Sequence, residues 1–82
     1  MKSTIYIRLK TIDEVQKFID ICNQFEEIDI DYIVGRYAID AKSMMGVLSV
    51  SLGRMAKIEI NKADQKTIES FCKLIQNWIV EE

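Results

Sequence analysis

The chain has 82 residues, a length that allows one domain, because so few residues cannot form two independent cores. Its 11 Lys and Arg residues against 13 Asp and Glu residues give a formal charge of −2, too balanced to favour nucleic acid or an anionic membrane as partner. The chain contains no histidine, the commonest metal ligand and the usual acid–base catalyst near neutral pH. We therefore expect a single domain over residues 1–82, with no enzymatic activity, metal or cofactor.

The cysteine content and the hydropathy pattern predict a cytoplasmic protein. Cys22 and Cys72 are too few for the disulfide framework of a small secreted domain and have no Cys-x-x-Cys spacing, so we expect free thiols in the core. No stretch approaches the roughly 18 apolar residues of a membrane span, and the N-terminus has no apolar signal core.

The first half of the chain predicts two strands and one helix. Residues 4–9 alternate between apolar and polar side chains, which is the period of a strand covered on one face. Thr11 and Glu14 have the spacing of a capping box, with the Glu carboxylate reaching back to the cap, so a helix should begin there and run to about Gln24. Residues 27–34 alternate again and predict a second strand. The helix carries an apolar stripe at three- and four-residue spacing: Val15, Phe18, Ile19, Cys22 and Phe25.

The second half predicts two more strands and two helices. Gly35 and Arg36 are a turn signal, and alternation continues over residues 37–41, so strands two and three should form a hairpin. Ser43 can cap a second helix that runs to Leu52, with Gly53 as a left-handed C-cap. Residues 56–61 alternate as strand four. A last helix is predicted over residues 63–80, with the apolar stripe Ile68, Phe71, Cys72, Ile75 and Ile79.

This order, β-α-β-β-α-β-α, predicts an α+β fold. Strands with one polar face and helices with one apolar face indicate an open-faced two-layer sandwich, in which three helices cover one side of a four-stranded antiparallel sheet. Asp29, Asp31 and Glu59 fall on the polar face of that sheet, where alternation alone accounts for them.

One stretch carries a resemblance to a known family. The segment over residues 41–49, Ala-Lys-Ser-Met-Met-Gly-Val-Leu-Ser, and the Ala-Lys-Ile-Glu-Ile segment after it resemble the most characteristic stretch of HPr, the histidine-containing phosphocarrier protein. HPr is the small relay of the bacterial phosphoenolpyruvate-dependent sugar phosphotransferase system, and it typically shows a Lys-Ser-Ile-Met-Gly-Val run at the same distance from its fourth strand. The resemblance covers nearly the whole chain and implies the same open-faced sandwich.

The resemblance also implies that phosphate relay has been lost. Alignment on the first helix puts Thr11 at the family's phosphate-accepting histidine and Asp13 at its arginine. A threonine hydroxyl lacks the nucleophilicity of a neutral imidazole, and Asp13 and Glu14 would repel an incoming phosphoryl group. We therefore expect no catalytic residue at this position.

The second phosphorylation position of the family is retained. Ser43 matches the serine that a dedicated kinase modifies in many Gram-positive bacteria, and a phosphate at a helix N-terminus beside Lys42 would be electrostatically favoured. The resemblance implies an exposed patch for partner docking that includes Met44 and Leu48. The alternatives are that Ser43 is only an N-cap and that the methionines belong to the core, with Met45 the stronger core candidate and Leu48 the stronger contact.

Two functions follow from these observations. The preferred one is an HPr-like regulatory module that binds proteins through the Ser43 helix, with Lys42, Met44, Met45 and Leu48 as candidate contacts. The alternative is a small structural or oligomerising α+β module with no role in the phosphotransferase system. The sequence leaves the oligomeric state open.

Overall fold

The computed structural model describes residues 3–80, so the four terminal residues of the predicted domain 1–82 lie outside the described residues. Among residues 3–80, no helix is long and apolar enough to cross a membrane. The elements follow the predicted order, and their bounds are β1 Ser3–Arg8, α1 Ile12–Asn23, β2 Asp29–Val34, β3 Tyr37–Asp40, α2 Met44–Ser51, β4 Met55–Asn61 and α3 Gln65–Leu74, followed by a 3-10 turn over Gln76–Trp78.

The four strands form one antiparallel sheet in the order β1-β4-β2-β3. Alternating burial along β2 and β4 puts Ile30, Tyr32 and Val34 of β2, and Ala56, Ile58 and Ile60 of β4, on the side of the helices. The buried strand and helix residues form a single cluster, so the predicted α+β sandwich is confirmed. The largest fully buried side chains are Tyr32, Phe18, Phe71, Ile7 and Leu9.

The start of α1 differs from the predicted capping box by one position. The Thr11 hydroxyl accepts a hydrogen bond from the Glu14 amide at 3.1 Å, as predicted. The Glu14 carboxylate, however, accepts from the amide of Lys10 at 2.7 Å and not from that of Thr11. Both bonds fix the direction in which the chain leaves β1 and enters α1.

The end of α2 is tied to the end of β1. Gly53 has φ +78°, the left-handed conformation predicted for it, and its amide donates to the Leu9 carbonyl at 2.8 Å. The glycine therefore connects the two elements in addition to ending the helix, and α2 stops at Ser51, one residue earlier than predicted.

The prediction of a last helix over residues 63–80 is wrong at the C-terminal end. Helix α3 ends at Leu74, and the chain then turns back along the edge strand β1, where Ile79 pairs with Ile7. The Val80 amide donates to the Tyr6 carbonyl at 2.8 Å. An edge strand presents unpaired backbone carbonyl groups. The C-terminal segment pairs with these groups of β1 and does not continue as a helix.

Candidate functional site

The N-terminal end of α2 contains the predicted phosphorylation site. Ser43 is the N-cap of the helix: its backbone is extended, and its hydroxyl accepts from the Gly46 amide at 3.3 Å. The Val47 amide also donates to the Ser43 carbonyl at 3.0 Å, which starts the helical pattern. The side chain is exposed, so the capping hydroxyl faces solvent. The N-cap interpretation is correct, and modification of Ser43 stays a prediction.

Lys42 makes contacts that its sequence position did not suggest. Its ammonium donates to the carbonyl of Phe25 at 2.8 Å and to that of Ile28 at 2.9 Å, with a longer contact of 3.5 Å to the Glu26 carbonyl. Its backbone amide donates to an Asp40 carboxylate oxygen at 2.9 Å. Lys42 therefore holds together the loop between α1 and β2. Its predicted role as a partner contact is not tested.

The exposed methionine of α2 is not the one predicted. Met45 is 84% exposed, so the expectation that it is the stronger core member is wrong. Met44 and Leu48 are half-buried and pack against the core, while Val47 is fully buried. Met45 lies two residues before Val47, and two positions on a helix point to nearly opposite sides. The helix therefore turns Met45 to solvent.

A further exposed apolar residue lies at the end of α2. Leu52, directly after the helix, is 45% exposed. Met45, Leu48 and Leu52 follow helical spacing of three and four residues, which places them along one side of α2. We call Ser43, Met45, Leu48, Ser49 and Leu52 the serine-helix surface. Leu52 was missed as a contact because it was expected only to end the helix.

The start of α1 carries Thr11 and Asp13, which were expected at the histidine and arginine positions of HPr. The Thr11 hydroxyl is exposed and already accepts the amide of Glu14. The Asp13 carboxylate pairs with the Lys17 ammonium at 3.1 Å on the exposed side of the helix. This end of α1 thus presents two carboxylates near the threonine.

Neither cysteine has the environment of a reactive thiol. Both are free; burial raises the pKa of Cys22 to about 12, an effect that the nearby Lys42 partly opposes. Burial also raises the pKa of the half-buried Cys72. Thiolates are the reactive form, so both groups favour the unreactive thiol. Within residues 3–80 no group of three or more His, Cys, Asp or Glu side chains is arranged to hold a metal ion.

The architecture is that of a small open-faced α+β sandwich, in which helices cover one side of a four-stranded antiparallel sheet. The fold is that of HPr: the structure is similar to HPr-C-His from Thermoanaerobacter tengcongensis, with TM-score 0.70 and 25% identity over 94% of this chain and 92% of that chain. It is also similar to the phosphocarrier protein HPr from Bacillus anthracis, with TM-score 0.67 and 22% identity over 90% and 94% of the two chains. No protein-family model and no curated protein sequence matches the chain.

Proposed function

We propose that this protein is an HPr-like regulatory module, related to the phosphotransferase system, that binds protein partners through the serine-helix surface and does not relay phosphate. The observation that carries the proposal is the exposure of Met45, which is 84% exposed and lies two residues after the exposed Ser43. The chain also has the HPr-like fold and contains no histidine. Met45 lies on the same side of the helix as Leu48 and the 45% exposed Leu52, and contiguous apolar patches of this kind, unlike singly exposed residues, are typical of interaction sites.

The chemistry at the start of α1 supports the absence of relay. A phosphoryl relay needs a nucleophile whose phosphorylated form transfers the group onward, and no imidazole is available in the chain. We assign Thr11 to the family's histidine position and Asp13 to its arginine position. Thr11 acts there as a helix cap, and the nearby carboxylates of Asp13 and Glu14 repel a phosphoryl donor.

The N-terminus of α2 supports Ser43 as the regulated position. Phosphorylation adds about −1.5 to −2 charges at pH 7. The free amides and the dipole at the start of a helix favour such an anion. The Gly46 amide already donates to the Ser43 hydroxyl and would serve a phosphate oxygen in the same way. Phosphorylation therefore changes the charge of the serine-helix surface without opposing the helix.

Mass spectrometry with a purified HPr-type serine kinase and ATP tests this role. We expect one phosphate on the wild type, none on Ser43→Ala and one on Ser49→Ala, because Ser49 is an exposed serine on the same helix. Failure to phosphorylate the wild type, together with dimerisation in analytical ultracentrifugation, would favour the alternative of an oligomerising module. Phosphate on the Ser43→Ala variant would contradict the assignment.

Partner capture with purified protein as bait tests the surface. Met45→Glu and Ser43→Asp should change the set of bound proteins, whereas Lys17→Glu, on the exposed side of α1, should not. Met45 is a better position than Leu48 because Leu48 also packs against the core. If Met45→Glu and Ser43→Asp leave the bound set unchanged, the serine helix is not a docking surface.

A further inference from the structure

The sheet face opposite the helices carries an acidic row next to a row that is apolar on β2 and β3. On β2 and β3, Asp31 lies directly opposite Asp40, and in the next row Ile33 lies directly opposite Ala38. On the other side of β2, Asp31 also lies opposite Glu59 of β4. Three carboxylates therefore occupy one row across three adjacent strands. In the next row Lys57 of β4 lies opposite Ile33, so the apolar side chains of that row are confined to β2 and β3. We call these two rows the open sheet face.

The carboxylates of this row are unequally neutralised. Glu59 pairs with Lys57 at 3.4 Å, and outside the row Asp29 pairs with Lys62 at 3.2 Å. Asp31 and Asp40 form no ion pair within residues 3–80, although Asp40 accepts the Lys42 amide. Like charges directly opposite each other in a sheet are destabilising, and such local costs are typical of functional surfaces.

The same carboxylates border a depression in the surface. Asp29, Asp31 and Asp40 line a cavity of about 420 Å³, and Lys42 and Lys62 line it as well. The Lys42 ammonium is engaged by backbone carbonyls and the Lys62 ammonium by Asp29. The depression therefore offers two acidic side chains, Asp31 and Asp40, to a cation from outside.

We propose that the open sheet face binds a basic, extended protein segment, with a Lys or Arg side chain between Asp31 and Asp40 and an apolar side chain on Ile33 and Ala38. Charge complementarity selects a cationic occupant, and the apolar pair Ile33 and Ala38 beside the acidic row suits a segment in which basic and apolar residues follow each other closely. This surface lies on the other side of the sheet from the serine-helix surface, so its role is independent of the proposed function.

NMR titration of the ¹⁵N-labelled chain with a synthetic peptide of alternating lysine and leucine tests this proposal. We expect shifts of amides in β2, β3 and β4, and none with a copy of the peptide that has glutamine in place of lysine. The double variant Asp31→Asn/Asp40→Asn should bind the lysine peptide roughly five- to tenfold more weakly. Asp20→Asn/Glu69→Gln removes the same net charge from exposed positions on α1 and α3 and should change the Kd by less than about twofold.

Several results would overturn the proposal. Equal weakening in the two double variants would mean that the peptide responds to net charge alone. Shifts confined to the helices, or no shifts at low salt, would place binding elsewhere or nowhere. Dimerisation of the wild type that Asp31→Asn/Asp40→Asn abolishes would show that a second copy of the chain is the occupant. Amide-for-carboxylate exchange relieves repulsion, so loss of folding is not the expected cause of weaker binding.

Discussion

The ammonium of Lys42 lies 2.8 Å from the carbonyl oxygen of Phe25, so a side chain that follows β3 is bonded to the segment that follows α1. A second bond, of 2.9 Å, joins the same ammonium to the Ile28 carbonyl. Carbonyl groups after a helix lack intrahelical partners, and a cation near a helix C-terminus is favoured. This relationship gives Lys42 a structural role next to the candidate phosphorylation site.

Replacement of Lys42 should destabilise the fold. Lys42→Met keeps a similar length but removes the ammonium, and we expect a loss of about 1–3 kcal/mol in the free energy of unfolding, because the carbonyls lose a charged donor. Lys17→Met removes a cation that pairs with the exposed Asp13, and it should cost less than about 0.5 kcal/mol. Urea unfolding measures both. Equal losses would show that the hydrogen bonds of Lys42 contribute no more to stability than an exposed ion pair.

Gly46 allows α2 to approach β3 closely. A Cβ atom at Gly46 would lie 2.6 Å from Cγ2 of Ile39. On helix propensity alone Gly46→Ala should stabilise by about 1 kcal/mol, but this clash should reverse the sign to a loss of about 1–3 kcal/mol. Thermal unfolding of Gly46→Ala, of Ile39→Ala and of the double variant measures the coupling. The double variant should lose less than the sum of the single losses; simple additivity would argue against the clash.

The acidic row predicts a variant that is more stable than the wild type. Asp31 has carboxylates opposite it on both sides, so Asp31→Asn should raise the free energy of unfolding by about 0.2–1 kcal/mol. The gain should shrink at high salt, which screens exposed charges. Asp20→Asn on α1 is the matched control and should change stability little. A loss of stability in Asp31→Asn at low salt would mean that the carboxylate is compensated in the fold.

Tyr32 predicts a loss of stability in alkaline solution. Its hydroxyl and that of Ser51 are buried without hydrogen bonds of good geometry among the described residues. Burial raises the pKa of Tyr32 from 10.0 to about 12, with Ser51 acting weakly in the opposite direction. The folded state holds this proton more tightly, so its contribution is complete below pH 10 and is lost between about pH 10 and 12.

The slope of stability against pH checks this assignment. Each unit of difference in pKa corresponds to about 1.4 kcal/mol, so Tyr32→Phe should flatten the decline between about pH 10 and 12. Tyr37→Phe removes a phenol that is 63% exposed and should keep the wild-type decline. Guanidinium unfolding at a series of pH values separates the two variants. An identical decline in Tyr32→Phe would assign the alkaline loss to other groups, such as Cys22.

Most of the fold could be predicted because the periodicity of the apolar residues and the positions of the helix-capping residues indicate the same elements. The strands alternate, and Thr11 and Ser43 cap helices where predicted. The C-terminal end could not be predicted, because the helical spacing of Ile75 and Ile79 is the same whether the segment continues as a helix or pairs with a strand. The choice between helix and pairing depends on β1, where Ile7, 72 residues earlier in the chain, is the partner of Ile79.

The orientation of α2 could not be predicted for a different reason. The helix is apolar on nearly every side, so the sequence has no polar stripe to show which residues face water. Contact with α1, β2 and β3 decides the orientation, and it buries Val47 and exposes Met45. The hydrogen bonds of Lys42 could not be predicted either, because its acceptors Phe25 and Ile28 are 17 and 14 residues away in sequence.

The most direct test of the central claim is intact-mass measurement after incubation with the general phosphotransferase enzyme and phosphoenolpyruvate. A histidine-bearing HPr in the same reaction is the positive control and should gain one acid-labile phosphate. The account predicts that this chain keeps its unmodified mass. Addition of one phosphate to Thr11, lost in Thr11→Val, would contradict the claim that the HPr-like fold is used here without phosphoryl relay.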